Sequence, residues 1–265
     1  MLYAESAPTK KYARHLERVL LVDPHAASAR LLHELLKDLG AKHIRVEGAT
    51  KGAMIAAREA DPQIIFTEFS GEALDGLEFT RQLRRSDLNC REAPIIMMTA
   101  EATAASIIGS RDAGVHEFLR KPYNIKDLVR RLDAVILKSR DWVEAVRYVG
   151  PDRRRFNSGD YQGPRKRKSD QQVTPALARI GQAMRILRSA VGALESDPRQ
   201  ALRAMQAQAV DLTAMAAATK DDKLAVAALR LCDCLEAQVK AGRLNRTEIE
   251  AACVGLWPWL PADAA

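Results

Sequence analysis

The sequence has few of the residues that mark exported, membrane-spanning or metal-rich proteins. Its 265 residues include 4 cysteines, and 5% are aromatic. The cysteines lie far apart or in a Cys-x-Cys pair without histidine neighbours, so neither a disulfide framework nor a zinc site is encoded. No apolar run approaches the ~20 residues that span a bilayer, and charges interrupt the N-terminus where a signal peptide needs an apolar core. We therefore expect a soluble cytoplasmic protein with no membrane partner.

Glycine and proline are also too scarce for a low-complexity chain, at 14 and 11 residues. The hydrophobic fraction of 47% is enough for packed cores, and the length is that of about two domains. The net charge is +7, and the segment from Arg147 to Lys168 holds eight basic and two acidic residues. Nearly all of the excess positive charge therefore lies in one short strip, which should attract anions.

Residues 17–146 alternate short apolar runs with amphipathic helical stretches, the pattern of a parallel sheet covered on both faces. We expect an α/β fold, a five-stranded doubly wound parallel sheet, after an N-terminal extension at residues 1–16. The last helix, beginning near Ile125, has apolar spacing that continues toward Trp142 and Val146. The predicted strands are Val19–Val22, His43–Val46, Gln63–Thr67, Pro94–Met98 and His116–Leu119.

Residues 147–171 have almost no aliphatic content, so we expect an exposed, flexible linker. This arginine segment contains a repeat, in which Tyr-x-Gly-Pro followed by basic residues begins at Tyr148 and again at Tyr161. Arginine matches phosphate oxygens and the O6/N7 edge of guanine, a carboxylate accepts from guanine's other edge, and tyrosine stacks on bases. A guanine dinucleotide would satisfy the whole set.

Residues 172–265 have helical periodicity, which predicts a small all-α antiparallel bundle. Thr174 is the predicted N-cap, and one apolar seam joins Leu177, Ile180, Met184, Leu187, Val191 and Leu194. All five histidines precede residue 147, so the bundle lacks the histidine of a phosphotransfer domain. It is either a self-contained bundle or a homodimer interface.

The ends of the predicted strands carry Asp23, Asp75-Gly76, Thr99 and Lys121-Pro122, and the region strongly resembles the CheY-like receiver domains of response regulators. The resemblance implies a flavodoxin-like fold and a pocket in which acidic residues bind Mg²⁺, an aspartate accepts phosphate, and Thr99 and Lys121 contact the phosphoryl group.

Two residues depart from that family's pattern. The phosphoacceptor position falls at Glu68, and the second acid after Asp23 is replaced by Pro24. A nucleophile one methylene longer misses in-line attack, and proline offers no oxygen to a metal. We therefore expect no cofactor and a lost Mg²⁺ site. Three interpretations of Glu68 remain: an inactive scaffold, a mimic of the occupied site in which Lys121 pairs with Glu68, or ordinary phosphorylation.

A receiver followed by an arginine-rich tail is similar to the Cle group of CheY-like effectors of cyclic di-GMP. That resemblance implies cyclic di-GMP as ligand and docking on the flagellar motor switch. In the second copy Arg165 stands where Asp152 would align. The predicted ligand-binding residues are Arg147, Tyr148, Asp152, Arg153, Arg154, Arg155, Asp160, Tyr161, Arg165 and Arg167.

Two alternatives to the cyclic di-GMP interpretation are a non-specific basic linker and nucleic-acid binding. A nucleic-acid partner is the less favoured, because the basic residues are confined to one segment. We expect no enzymatic activity, since no nucleophile, base and orienting group come together outside the altered pocket.

Overall fold

A computed structural model describes residues 11–12, 14–153 and 175–262 of the chain. In these ranges we find no helix long and apolar enough to cross a membrane. The chain divides into two compact units, one of Met1–Val143 with Tyr148–Arg153 and the other of Glu144–Arg147 with Arg154–Ala265.

The first unit is built on the predicted parallel sheet of five strands, which lie in the order His43–Glu47, Arg18–Val22, Ile64–Glu68, Ile95–Thr99 and Glu117–Arg120. This confirms the predicted fold class, and the strand order is the flavodoxin-like one. Its elements are β1 (Arg18–Val22), α1 (Ala26–Asp38), β2 (His43–Glu47), α2 (Thr50–Ala60), β3 (Ile64–Glu68), β4 (Ser70–Gly71), β5 (Leu74–Asp75), α3 (Gly76–Arg85), β6 (Ile95–Thr99), α4 (Ala104–Ala113), β7 (Glu117–Arg120) and α5 (Ile125–Ile136).

The burial of the central strands explains why their apolar runs could be predicted as strands from the sequence. All five residues of β3 and of β6 are buried, because helices cover both faces of the sheet. Edge strand β2 has no fully buried residue. Parallel strands end at a common edge, so the side chains that follow β1, β3, β6 and β7 meet there.

The N-terminal boundary predicted at residue 17 is too late. Tyr12 and Leu16 are buried in the core of the first unit, and the Tyr12 hydroxyl donates to Asp133 Oδ1 at 2.6 Å. Burial of both side chains and the Tyr12 hydrogen bond make Tyr12 and Leu16 part of the domain.

The prediction that the last helix continues through Trp142 and Val146 is wrong. Helix α5 ends at Ile136, and Trp142–Glu144 forms β8, paired with β9 at Val149–Pro151. The Arg84 guanidinium lies over the Trp142 ring, 5.3 Å from the centroid of that ring. The Arg140 guanidinium turns toward the sheet and donates to the His116 carbonyl at 2.7 Å. Tertiary contacts therefore end the helix despite its apolar pattern.

The first part of the arginine segment is folded, contrary to the expectation of an exposed linker from residue 147. Residues Tyr148–Arg153, which we call the clasp, belong to the first unit, and Tyr148, Val149 and Pro151 are buried. The rest of the segment, residues 154–171, and the predicted cap Thr174 lie outside the described residues.

The second unit contains the expected helices, α6 (Pro175–Gly192), α7 (Pro198–Thr219), α8 (Asp222–Lys240) and α9 (Arg246–Cys253), followed by a 3-10 turn at Val254–Trp259. The predicted seam is buried from Ile180 to Leu194, whereas Leu177 in the first turn of α6 is 52% exposed. Asn245 caps α9, its side chain accepting from the Glu248 amide.

Trp257 and Trp259 cover the bundle's own core. Both pack against it while partly buried, and the Trp259 indole donates to Asp221 Oδ2 at 3.1 Å.

Candidate functional site

Three charged side chains meet at the carboxyl edge of the sheet. Lys121 follows β7, and its ammonium donates to Glu68 Oε2 and, at 3.1 Å, to Asp23 Oδ2. It also donates to the Ser28 hydroxyl at 2.8 Å. The predicted pairing of Lys121 with Glu68 is therefore present in the structure.

Burial makes this network a fixed one. The side chain of Asp23 is 1% exposed and that of Glu68 9%, while Lys121 keeps 21%. Burial alone would raise the pKa of Asp23, but hydrogen bonds from the Ser28 hydroxyl, the His25 amide and the Lys121 ammonium outweigh it and hold that pKa below its ordinary value. Asp23 is thus held ionised. Burial, together with the nearby carboxylates of Asp23 and Glu68, raises the pKa of Tyr123 to about 12.

The local chain packs tightly around the network. A Cβ on Gly76 would lie 2.1 Å from the Glu68 carbonyl oxygen, so only glycine fits directly after Asp75. A Cβ on Gly71 would lie 2.4 Å from Pro24 Cγ, because the proline ring fills the space beside β4. Pro24 therefore contributes packing where the resemblance implies a second acid.

Thr99 lies beside the network without joining it. Its hydroxyl accepts from the Glu101 amide at 3.1 Å, which holds the start of the loop after β6. A cavity of about 550 Å³ opens next to it, lined by His25, Glu68, Thr99 and Ser106 among others. The structure thus brings Asp23, Glu68 and Lys121 together and leaves Thr99 on the adjoining wall.

This arrangement does not fit Mg²⁺. The cation needs several oxygen ligands at short range, and the Lys121 ammonium already occupies the position between the two carboxylates. Pro24, which replaces the second acid, supplies no side-chain oxygen.

The predicted ligand-binding residues fall into three groups. Arg147 is exposed and belongs to the second unit, whereas Tyr148, Asp152 and Arg153 lie in the clasp on the first unit. The others lie outside the described residues: Arg154, Arg155, Asp160, Tyr161, Arg165 and Arg167.

Within the clasp, Tyr148 is a structural residue. Its hydroxyl donates to the Pro151 carbonyl at 2.6 Å, and burial raises the pKa of its phenol. The Arg153 guanidinium lies over the Tyr148 ring, 3.7 Å from its centroid. The Arg153 guanidinium covers the ring, and the Tyr148 hydroxyl supports the turn at Gly150-Pro151, one of the two roles, stacking or wedging this turn, that the sequence suggests for it.

A buried arginine supports the turn on which the clasp rests. Arg84 donates to the carbonyls of Gly114 and Ala93 at 3.0 and 2.9 Å, and burial lowers its pKa to about 9. His116 faces it, with Nδ1 3.1 Å from Arg84 Nη2.

Sequence reasoning missed two residues of these sites. Ser28 ties Lys121 to α1, and its position in the first turn of α1, shortly after Asp23, was the available signal. Asp112 binds Arg153, and no local pattern indicates a contact between residues so far apart in sequence.

The first unit is similar in sequence to known chemotaxis proteins. The sequence is 26% identical to the chemotaxis protein CheY-3 of Vibrio cholerae over 118 residues, which is 44% of this chain and 90% of that protein. It is 28% identical to the chemotaxis protein CheY1 of Helicobacter pylori over 120 residues, which is 45% of this chain and 96% of that one.

A third similarity reaches further along the chain. It is to the sensor protein GacS of Pseudomonas syringae, 28% identical over 193 residues, which is 72% of this chain and 20% of that protein. This length cannot fit within the first unit alone, so the similarity includes part of the C-terminal region. Among solved structures, CheY4 of Vibrio cholerae matches with a TM-score of 0.43 and 23% identity, over 46% of this chain and 99% of that one.

The strand order, the residues at the carboxyl edge and the curated relatives agree with the family profile. Residues 19–133 match the response regulator receiver domain. This part of the chain is therefore a CheY-like response regulator receiver domain.

Proposed function

We propose that the protein is a CheY-like cytoplasmic signalling protein that works without phosphorylation. It binds cyclic di-GMP through its arginine segment and docks on a protein partner, the flagellar motor switch, to control motility or surface attachment. It acts by binding and not as an enzyme. The observation that carries the proposal is the ion-pair network of Lys121 with Glu68 and Asp23.

The network accounts for independence from phosphorylation. The Lys121 ammonium donates to Glu68 Oε2, and this contact lowers the nucleophilicity of the carboxylate. Phosphoryl transfer depends on positioning and on neutralising charge with a metal, and neither the longer side chain nor Pro24 provides these. With the pocket fixed, an input signal must enter elsewhere in the protein.

The arginine segment is the supporting candidate for that input. It concentrates the positive charge, and the repeated Tyr-x-Gly-Pro-basic motif fits a ligand with two equivalent guanine bases and two phosphates. Arg153, the first arginine of the segment after the clasp's proline, keeps 35% of its side chain exposed. A ligand can therefore reach it.

The partner proposal rests on relatives and on surface. The curated relatives from Vibrio and Helicobacter are named chemotaxis proteins, which supports docking on the motor switch.

The bundle buries its own seam, yet Val210 and Val226 are more than 60% exposed. A homodimer through the bundle is therefore retained as a proposal, and light scattering of the full chain tests it, because a strict monomer would remove it.

Isothermal titration of the full chain with cyclic di-GMP, and with cyclic di-AMP as matched control, tests the ligand. We expect binding of the guanine ligand alone, lost on replacing Arg153 and Arg154 with alanine and weakened on Asp152→Ala. The nucleic-acid alternative is tested by titrating the full chain with duplex DNA at two salt concentrations. Backbone-driven binding of DNA should weaken steeply as the salt concentration rises. No heat at high micromolar cyclic di-GMP would refute the ligand proposal.

A further inference from the structure

Arg153 is already bound to an anion of the protein itself. Its Nη1 donates to Asp112 Oδ1 at 2.7 Å, and its guanidinium lies on the Tyr148 ring. Asp112 stands in the last turn of α4, two residues before Gly114. The pair therefore ties the end of the clasp to the end of a receiver helix.

The clasp is fitted to this turn at a second point. Gly114 has φ +99° and Gly150 has φ +154°, both in the region that favours glycine. A Cβ on Gly150 would lie 2.7 Å from Gly114 Cα, and a Cβ on Gly114 would lie 2.5 Å from the Val149 carbonyl oxygen. The glycine of the first Tyr-x-Gly-Pro copy is thus required for docking on the receiver.

The two attachments differ in how easily they open. The glycine contact is buried, but the Asp112–Arg153 pair keeps 43% and 35% of its side chains exposed. An ion pair this exposed stabilises a fold weakly, and solvent and ligand can reach it.

Resting on the proposed function, we infer that Asp112 is an internal competitor of the ligand at Arg153. A phosphate or guanine O6/N7 edge that approaches Arg153 meets the Asp112 carboxylate, which repels a phosphate and holds one of the donors that either group needs. Ligand binding at Arg153 therefore displaces Asp112 and loosens the clasp from α4. Docking of the clasp and binding of ligand then weaken each other by the same factor, as linkage requires.

The substitution Asp112→Asn tests this, since it removes the charge and keeps the shape. We expect the full-length variant to bind cyclic di-GMP about twofold to fivefold more tightly than the wild type, the effect that an exposed pair allows. Glu92→Gln is the matched control: it removes one exposed charge from the same unit outside the clasp, and we expect unchanged affinity. An Asp112→Asn affinity equal to that of the wild type, or an equal gain in Glu92→Gln, would overturn the inference.

Hydrogen exchange gives a second, independent readout. The Asp152 amide donates to the Asp141 carbonyl at 2.8 Å and reports on the docked clasp. Saturating cyclic di-GMP should speed its exchange in the wild type, and Asp112→Asn should speed it without ligand. Slower or unchanged exchange on ligand binding would overturn the inference while leaving the proposed ligand intact. If neither wild type nor variant binds cyclic di-GMP, the proposed ligand and the competition both fail.

Discussion

Two ion pairs of the receiver domain, Lys121 with its carboxylates and Arg153 with Asp112, have opposite characters. Lys121 binds Asp23 and Glu68 where both carboxylates are almost fully buried, whereas Arg153 binds Asp112 where both partners are substantially exposed. A buried pair cannot lose one partner without leaving an uncompensated charge, while an exposed pair opens at little cost. The same chemistry therefore fixes one site and leaves the other free to respond.

Removing the buried cation should have the largest effect. Lys121→Met leaves two carboxylates without their partner, and we expect the receiver to lose about 3 kcal/mol of stability at neutral pH. Native-state hydrogen exchange at β1 and β3 in the full chain measures this. Lys126→Met, which removes an exposed lysine from α5, is the control and should change little. A loss below about 1 kcal/mol would mean that the network is not the fixed site described.

Next in size is the glycine contact of the clasp. Gly150→Ala places a methyl group against Gly114, and we expect the Asp152 amide to lose about 2 kcal/mol of protection. Gly163→Ala makes the same change in the second motif copy and should leave that amide unaffected. Equal protection in the wild type and Gly150→Ala would show that the clasp does not need this glycine.

Acid should weaken the turn that supports the clasp. Burial, together with the Arg84 and Arg140 guanidinium groups, holds the pKa of His116 well below the ordinary 6.5. The unfolded chain takes up this proton near pH 6.5 while the folded chain does not, so stability is present above that pH and falls below it. The slope approaches about 1.4 kcal/mol per pH unit.

His116→Asn isolates that effect. In the wild type, His116 Nδ1 accepts from the Ile95 amide at 3.2 Å. The side-chain oxygen of the introduced asparagine can accept this hydrogen bond instead, and asparagine does not titrate. The free energy of unfolding can be measured by hydrogen exchange at β6 in denaturant between pH 7 and pH 5. It should fall more steeply with falling pH in the wild type than in His116→Asn. Parallel curves would exclude His116 as the titrating group.

The exposed pair should contribute least. Asp112→Asn should cost the receiver less than about 1 kcal/mol, measured by exchange at β1 and β3. A larger loss would place Asp112 with the fixed site and remove the contrast between the two contacts.

The sequence predicts the sheet well because both faces of a parallel sheet are buried, which leaves continuous apolar runs such as Ile64–Phe66. The resemblance to receiver domains also predicts the Lys121–Glu68 pair, because in that family the lysine contacts the phosphoryl group on the residue at this position. The sheet itself depends on local pattern and topology alone.

The errors lie where a distant contact decides the structure. The apolar spacing after Ile136 is typical of a helix, yet Trp142 instead packs against Arg84 from another element. The clasp is predicted to be a linker because it has few aliphatic residues, but Val149 and Gly150 dock on a turn 35 to 36 residues earlier, at Gly114. Composition alone cannot reveal that fit.

The Lys121 network should make the receiver unresponsive to small phosphoryl donors. Intact-mass spectrometry of the full chain after incubation with acetyl phosphate and Mg²⁺ measures this, with Glu68→Asp and Glu68→Asp/Pro24→Asp as comparisons. We predict no added phosphoryl group on the wild type, while restoring both carboxylate positions should favour modification. A stable phosphoryl adduct on Glu68 of the wild type would contradict the account.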